Sequence, residues 1–379
     1  MIYSHKIRLN PTPAQADFFT RSTDAARFAY NWGLARWIEV YEAGGKPSAN
    51  GLKREFNAVK LEQFPWVLEV SSRCTEWGFA RLGRAFQGFF RRVTAGGEPP
   101  GYPRFKSRHE PRQSFYVANT EIRLNGHEMR IPRLGSAVNM AEVLRFDGKI
   151  MSAVISCDGP RWWVSVAVEV ADVEPKPELQ TVVGIDFGIR HLAVTSDGKF
   201  IENPRHLERM LRKLARLQQQ LARQEQGSGH WLKTRRQINK LHYRIRCRRE
   251  DTAHKLTTSL ARQYDVVAVE DFDLRKLIKD GRWPRQLSDA GIGEIRRQLA
   301  YKLPRHGGVF ITTPQYFPSN MICSACNADN GPIPPAVWEW ACSSCGIINQ
   351  RNLNSAANIR AAVLKQLNES GGRSSSPDT

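Results

Sequence analysis

No window of this 379-residue chain approaches the run of about 18 apolar residues that a membrane span requires, and the polar, strand-like start from Met1 to Pro11 is unlike a signal peptide. The expectation is a cytoplasmic protein. Acids are scarce: 37 Asp and Glu stand against 56 Lys and Arg, a formal net charge of +19 and a sequence pI near 9.9. Such a deficit makes an anionic polymer the expected partner. Cysteine is sparse, seven residues, and an odd number argues against a disulfide framework. A further absence is local: no Asp or Glu occurs between Glu339 and Glu369.

What is present divides the chain. Residues 2 to 9 read as a strand with Ile7 and Leu9 on one face. Ala14 to Tyr41 turns helical and aromatic, and a second helix from about Ser72 to Arg92 sets Phe79, Leu82, Phe86 and Phe90 at spacings of three and four. Its remaining surface carries Arg73 and Arg84 among other arginines, either a solvated face or one that meets nucleic acid. A Pro/Gly-rich break from Gly96 to Pro103 leads into a basic run around Lys106, which is a further candidate for nucleic-acid contact. Residues 150 to 157 and 161 to 170 read as a hairpin turning at Asp158-Gly159, with Val164, Val166, Val168 and Val170 alternating. Strands interrupted by helices predict a small β-barrel with an inserted helical lobe, and 171 to 179 a linker.

The C-terminal half centres on the apolar strand 181–188, which carries Asp186. Asp265-Val-Val-Ala-Val-Glu270 repeats the design of a β-branched run ending in an acid. Ionised carboxylates among Val and Ile are costly to desolvate unless something compensates them, so the pair suggests a metal site. Between the two strands lie two long helices, predicted over about 207–221 and 230–264. From Arg205 to Arg249 they hold fourteen Lys or Arg against two Glu, which points to phosphate contact by Arg235, Arg236, Arg244, Arg246, Arg248 and Arg249. A polar loop through Arg282, a helix near 293–303, a strand at 309–313 and a last helix at about 353–367 complete the domain. Cys323-x-x-Cys326 and Cys342-x-x-Cys345, fifteen residues apart, have the spacing of a four-cysteine zinc ribbon; four thiolates leave no open position, so the zinc is structural.

The order of elements resembles the RNase H fold, in which a strand Asp, a strand-end Glu and a helix-borne Asp converge on two Mg²⁺ ions. Gly184-Ile-Asp-Phe-Gly-Ile189, Leu192-Ala-Val-Thr-Ser-Asp-Gly198, Val269-Glu270, the two cysteine pairs and Asn354-Ser-Ala-Ala-Asn-Ile359 together resemble the TnpB proteins of bacterial transposons. Arg27-Phe-Ala-Tyr-Asn-Trp-Gly-Leu34, Ala85-Phe-Gln-Gly-Phe-Phe90 and Tyr102-Pro-Arg-Phe-Lys-Ser107 extend the likeness to the N-terminal half. Those proteins are RNA-guided nucleases with a RuvC-like domain, related to type V CRISPR effectors. The resemblance implies an α+β multidomain chain: a wedge-type β-barrel (1–12 and 110–179) interrupted by a helical recognition lobe (13–109), an RNase H-like RuvC domain (180–317 and 347–368) with an inserted zinc ribbon (318–346), and a disordered tail (369–379). It also implies a monomeric ribonucleoprotein with a guide RNA and a double-stranded DNA target beside a short motif. Ser72, Arg73, Glu76, Ser114 and Tyr116 are the motif-reading candidates; a capped helix and a buried strand are the bland alternative.

One departure governs the expected activity. The family's third catalytic residue is the second Asp of Asp-Arg-Asp-x-Asn-Ala-Ala, whereas this chain reads Gln350-Arg-Asn-Leu-Asn-Ser-Ala356, with Asn352 at the catalytic position. A missing anionic ligand at ~4 Å from a divalent ion forfeits about 8 kcal/mol of Coulomb attraction at an effective dielectric of 20, before the amide dipole and solvent offset part of it. Even a quarter of that is more than tenfold in occupancy. Asp186, Glu270 and Asn352 are therefore expected to form a degenerate triad with Mg²⁺ weak or absent, and the chain to act as a nuclease-dead, TnpB-derived repressor. The alternative is an active transposon-associated RNA-guided DNA endonuclease whose third carboxylate comes from elsewhere, such as Asp271, Asp273, Asp289 or Glu294.

Overall fold

The computed structural model describes residues 1–96, 101–108, 110, 112–279, 281, 283–334 and 336–369. Arg282, part of the expected break at 96–103 and the expected tail beyond Glu369 therefore lie outside the described residues. The chain forms two compact units, Met1–Asp172 and Val173–Thr379, and the boundary falls in the acidic, Pro-containing stretch read as a linker. No helix among the described residues is long and apolar enough to cross a membrane.

The first unit opens with β1 (Ile2–Asn10), whose Tyr3, His5, Ile7 and Leu9 point inward in alternation. Helix α1 (Pro13–Glu42) starts at a Thr12/Gln15 capping box with Pro at its first position, both strong initiators. The sequence reading passes over α2 (Ala49–Gln63), which buries only Leu52 and Phe56. Helix α3 (Ser72–Thr94) buries Phe79, Leu82 and Phe86 against α1 and α2, and Gly78 lets α3 approach the α1 backbone, since a Cβ there would meet the Ala26 carbonyl at 2.5 Å.

The strands of this unit are β2 (Arg112–Ala118), β3 (Arg123–Asn125), β4 (Glu128–Arg130), β5 (Val138–Met140), β6 (Lys149–Asp158) and β7 (Arg161–Glu169). They join β1 in one seven-stranded sheet ordered β2-β6-β7-β1-β5-β4-β3. The end strands β2 and β3 do not pair, so in hydrogen-bond terms this is an open sheet where a barrel was expected. Phe18 and Phe19 of α1 and Cys74 of α3 complete its core. The β6–β7 hairpin pairs Asp158 with Arg161, which moves the two-residue turn to Gly159-Pro160, with Gly159 at φ +62°.

The second unit is built on β8 (Val182–Phe187), β9 (His191–Thr195), β10 (Phe200–Glu202), β11 (Val266–Val269) and β12 (Val309–Thr312), in the order β10-β9-β8-β11-β12. The first three strands are antiparallel, and β8, β11 and β12 parallel, as expected for an RNase H-like sheet. A 3₁₀ turn and α4 (Leu211–Ala222) pair with α5 (Gly229–Gln263) through Leu214, Leu217, Ile238, Leu241 and Ile245. The expected loop after Glu270 holds two short helices, α6 (Leu274–Lys279) and α7 (Pro284–Ala290), before α8 (Ile292–Lys302). β13 (Glu339–Ala341) and β14 (Ile348–Gln350) form the ribbon hairpin, and α9 (Arg351–Glu369) starts two residues earlier than predicted because Gln350 Oε1 accepts the Leu353 N–H at 2.7 Å and caps it.

Candidate functional site

Side-chain alternation sorts the second sheet into two faces. Val183, Ile185, Val267 and Val269 pack on one side with α5 and α8; Val266 and Ala268 pack on the other with Ile359 and Val363 of α9. Asp186 and Glu270 continue the α9 side. The parallel register aligns Val269 with Ile185, which brings the next residues, Glu270 and Asp186, alongside each other about 4.8 Å apart in backbone. Gly184 makes this face accessible to the helix: a Cβ there would lie 2.1 Å from the Ala356 carbonyl and 2.6 Å from the Arg360 nitrogen. Asn352, one turn before Ala356, consequently sits by the end of β8. Its Nδ2 is 3.9 Å from where a Gly188 Cβ would be, and the residue is 8% exposed. Asn352 therefore lies on the helix that covers the Asp186 and Glu270 face of the sheet, near the C-terminal end of β8.

The electrostatics reflect two acids facing each other. Burial, then the charge of Glu270, pushes the Asp186 carboxyl up to about 7, with the Arg351 guanidinium opposing. Burial also raises Glu270, although the Ser319 hydroxyl donates to its Oε2 at 3.1 Å. Two carboxylates on one face suit a divalent cation, and α9 brings the neutral amide of Asn352 where a third anionic ligand was expected, so the set fits such an ion only in part. Asp265, which begins the same acid-ended run, is structural: it accepts from the Gln180 and Thr181 backbone and pairs with Lys176, which hold its carboxyl down at about 2.

The other acids near the fold are engaged. Asp271 pairs with Arg296 at 3.2 Å, Asp273 caps α6 at the Lys276 N–H, and Glu294 is bonded to Arg297 and Gln298. Asp289 accepts the Leu207 and Glu208 N–H groups and pairs with Arg249 at 2.7 Å. Arg249 is accordingly committed to the base of the helical hairpin, where the sequence reading put it on nucleic acid.

The remaining basic candidates divide. Lys233, Arg236, Lys240, Arg244 and Arg248 are exposed at steps of three and four along α5, a stripe about 22 Å long without ion pairs among the described residues. Arg235 lies over Trp231, and Arg246 over Tyr243 and near Glu250. Lys106 faces Tyr30 and Glu110, its backbone held by Asn31. In the first unit, Ser72 is exposed at the start of α3, and Arg73 pairs with Glu76 and Glu121. Ser114 and Tyr116 share the β2 face opposite Phe115, with Tyr116 stacked on Trp77 at 5.6 Å and Arg84 over the same indole at 4.8 Å. Trp77, which gathers these candidates, was not singled out from the sequence.

The four cysteines converge, with all Sγ atoms within 4.8 Å of one another. Cys323–Cys345 and Cys326–Cys342 are 3.8 and 3.6 Å apart, close to the roughly 3.8 Å edge of a tetrahedron with 2.3 Å zinc–sulfur bonds. Each Cys-x-x-Cys turn closes alike, Asn327 N–H to Cys323 O and Gly346 N–H to Cys342 O, with Asn327 and Gly346 both at positive φ. The donor set fits zinc. What sequence reasoning missed is how the ribbon is attached: Asn354 and Asn358, quoted only as part of a motif, are buried and bonded to it.

Comparison with known proteins bears on the family. Family models match at residues 165–280 ("Probable transposase"), 1–46 ("Helix-turn-helix domain") and 293–359 ("Cas12f1-like, TNB domain"). The segment 1–46 is here a strand followed by one uninterrupted helix. A Streptomyces pristinaespiralis protein named "Putative RNA-guided DNA endonuclease" is 31% identical over 95% of this chain and 89% of its own. The Escherichia coli K12 protein InsQ, similarly named, is 28% identical over 95% and 92%. Among solved structures, the mini-RNA-guided endonuclease CRISPR-Cas phi3 shares the fold at TM-score 0.50 and 9% identity, covering 96% of this chain and 92% of that one. On the strength of its match across nearly the whole chain, this protein belongs to the transposon-associated TnpB family of RNA-guided DNA endonucleases, related to the Cas12 effectors.

Proposed function

We propose that this protein binds a guide RNA, pairs it with a double-stranded DNA target beside a short motif, and represses transcription by occupying the target without cutting it. Base pairing would supply sequence specificity, and the protein would read backbone shape and the motif. The observation that carries this reading is Asn352, a neutral amide on α9 at the place where Asp186 and Glu270 call for a third anion. The engagement of Asp289 and Glu294 elsewhere speaks against a displaced carboxylate. The exposed cationic stripe of α5 supports a phosphate-binding role, and the cysteine cluster supports a structural zinc.

The reading is tested in bacteria carrying a reporter plasmid with the target inside its promoter. Guide-dependent loss of transcript with plasmid copy number unchanged is the expected result. Guide-dependent loss of the plasmid itself would show cutting and overturn the proposal.

A further inference from the structure

Asn354 and Asn358 lie one helical turn apart on α9, buried, and their Nδ2 groups donate to the same two carbonyls: Ser319 O at 3.4 and 2.8 Å, and Ile322 O at 2.8 and 2.7 Å. Asn354 Oδ1 also accepts the Ser324 N–H at 2.8 Å, so the grip falls on the turn between Cys323 and Cys326. From the other flank of the ribbon, the Ile333 and Pro334 carbonyls hold the Arg351 guanidinium, and the Trp338 carbonyl accepts the Arg351 N–H at 2.8 Å. Ser319, fixed through its carbonyl by both asparagines, turns its hydroxyl to Glu270 Oε2 at 3.1 Å. One chain of hydrogen bonds thus runs from the first cysteine turn, through α9, to an acid of the pair.

The ribbon that anchors these bonds has a core of Cys323, Trp340 and Cys342, with Ala328, Ile333 and Val337 around it. A cluster of that size does not hold a fold by apolar burial alone, and small cysteine domains of this kind order on binding metal. Without the ordered turn, Asn354 and Asn358 would be buried amides lacking partners, an expensive state that favours fraying of the helix start. We propose that Ser319, Asn354 and Asn358 form a latch that makes the order of Glu270 and of the first turns of α9, including Asn352, conditional on zinc in the ribbon. They act as positioning residues, through Glu270 and Asn352.

Hydrogen exchange on the full-length chain, with zinc content measured in parallel, tests the latch independently of whether the protein cuts DNA. A zinc-free variant, Cys326→Ser with Cys345→Ser, is expected to exchange amides 352–358 and 270–273 about tenfold faster or more, the consequence of losing several buried hydrogen bonds. The β9 amides 192–195 should stay within about twofold, as for a separate cooperative unit. Asn354→Ala with Asn358→Ala should reproduce the acceleration while zinc is retained. Ser319→Ala should confine it to 270–273, and Ser319→Thr should restore protection. Unchanged exchange at 352–358 in the zinc-free chain would overturn the proposal. So would loss of protection throughout the sheet, which would make the ribbon part of one global fold, or zinc-loaded Asn354→Ala/Asn358→Ala with normal protection.

Discussion

Replacing Asp186 with Asn should stabilise the metal-free protein at alkaline pH. The folded state raises this carboxyl from 3.8 to about 7, through burial first and the charge of Glu270 second. A raised carboxyl pKa means that the native protein keeps a proton which the unfolded chain releases near pH 4. The stability tied to that proton is complete below about pH 4 and is lost as pH rises through about 7. Above pH 7 the full difference applies, ~4 kcal/mol. That is an upper bound, because Asp186 keeps partial access to solvent. Asn cannot ionise and carries no such penalty. Urea unfolding of the RNA-free chain in EDTA, from pH 4 to pH 8, should show Asp186→Asn gaining on the wild type by as much as ~4 kcal/mol at pH 8, with the gap closing toward pH 4. Equal stability at pH 8, or a gap that widens on acidification, would refute the argument that burial and the neighbouring Glu270 raise the Asp186 carboxyl.

Asn352→Asp puts a third carboxylate on α9 beside the pair; it should destabilise the protein in EDTA and tighten Mn²⁺ binding by more than tenfold, a quarter of the ~8 kcal/mol Coulomb figure, measured by electron paramagnetic resonance titration. An unchanged Mn²⁺ affinity would mean that Asn352 does not face the acids. Gly184→Ala forces a Cβ into the Ala356 carbonyl and should cost about 3 kcal/mol or more in urea unfolding, since neither backbone can yield cheaply. Arg248 and Arg249, adjacent in sequence, should separate. Arg248→Ala should lower the salt dependence of guide-RNA binding by about one phosphate contact with stability intact, whereas Arg249→Ala strands the buried Asp289 and should cost about 3 kcal/mol of stability. Equal behaviour of the two variants would contradict the assignment.

The sequence made the acidic site legible because its determinants are local. An apolar strand ending in an acid, repeated once, marks Asp186 and Glu270 as a pair, although their common face depends on the β8–β11 register, and the cysteine spacing defines the ribbon. The helices with wide apolar stripes, α1, α3 and α5, were equally readable. Helix α2 was not, since it buries two residues in a polar segment, and α6 and α7 are too short to show a period. The open edge between β2 and β3 follows from strand pairing, which alternation within one strand does not encode. Arg249 looked like its neighbours because its partner lies forty residues away in Asp289. The hold of Asn354 and Asn358 on Ser319 and Ile322 depends on the same kind of long-range closure, visible only once α9 is laid against the ribbon.

The most direct measurement of the central claim is a time course on supercoiled plasmid carrying the target and its adjacent motif, incubated with the wild-type ribonucleoprotein and Mg²⁺. The account predicts guide-dependent binding, with the plasmid remaining supercoiled. Guide-dependent nicking or linearisation, absent without the guide, would contradict it.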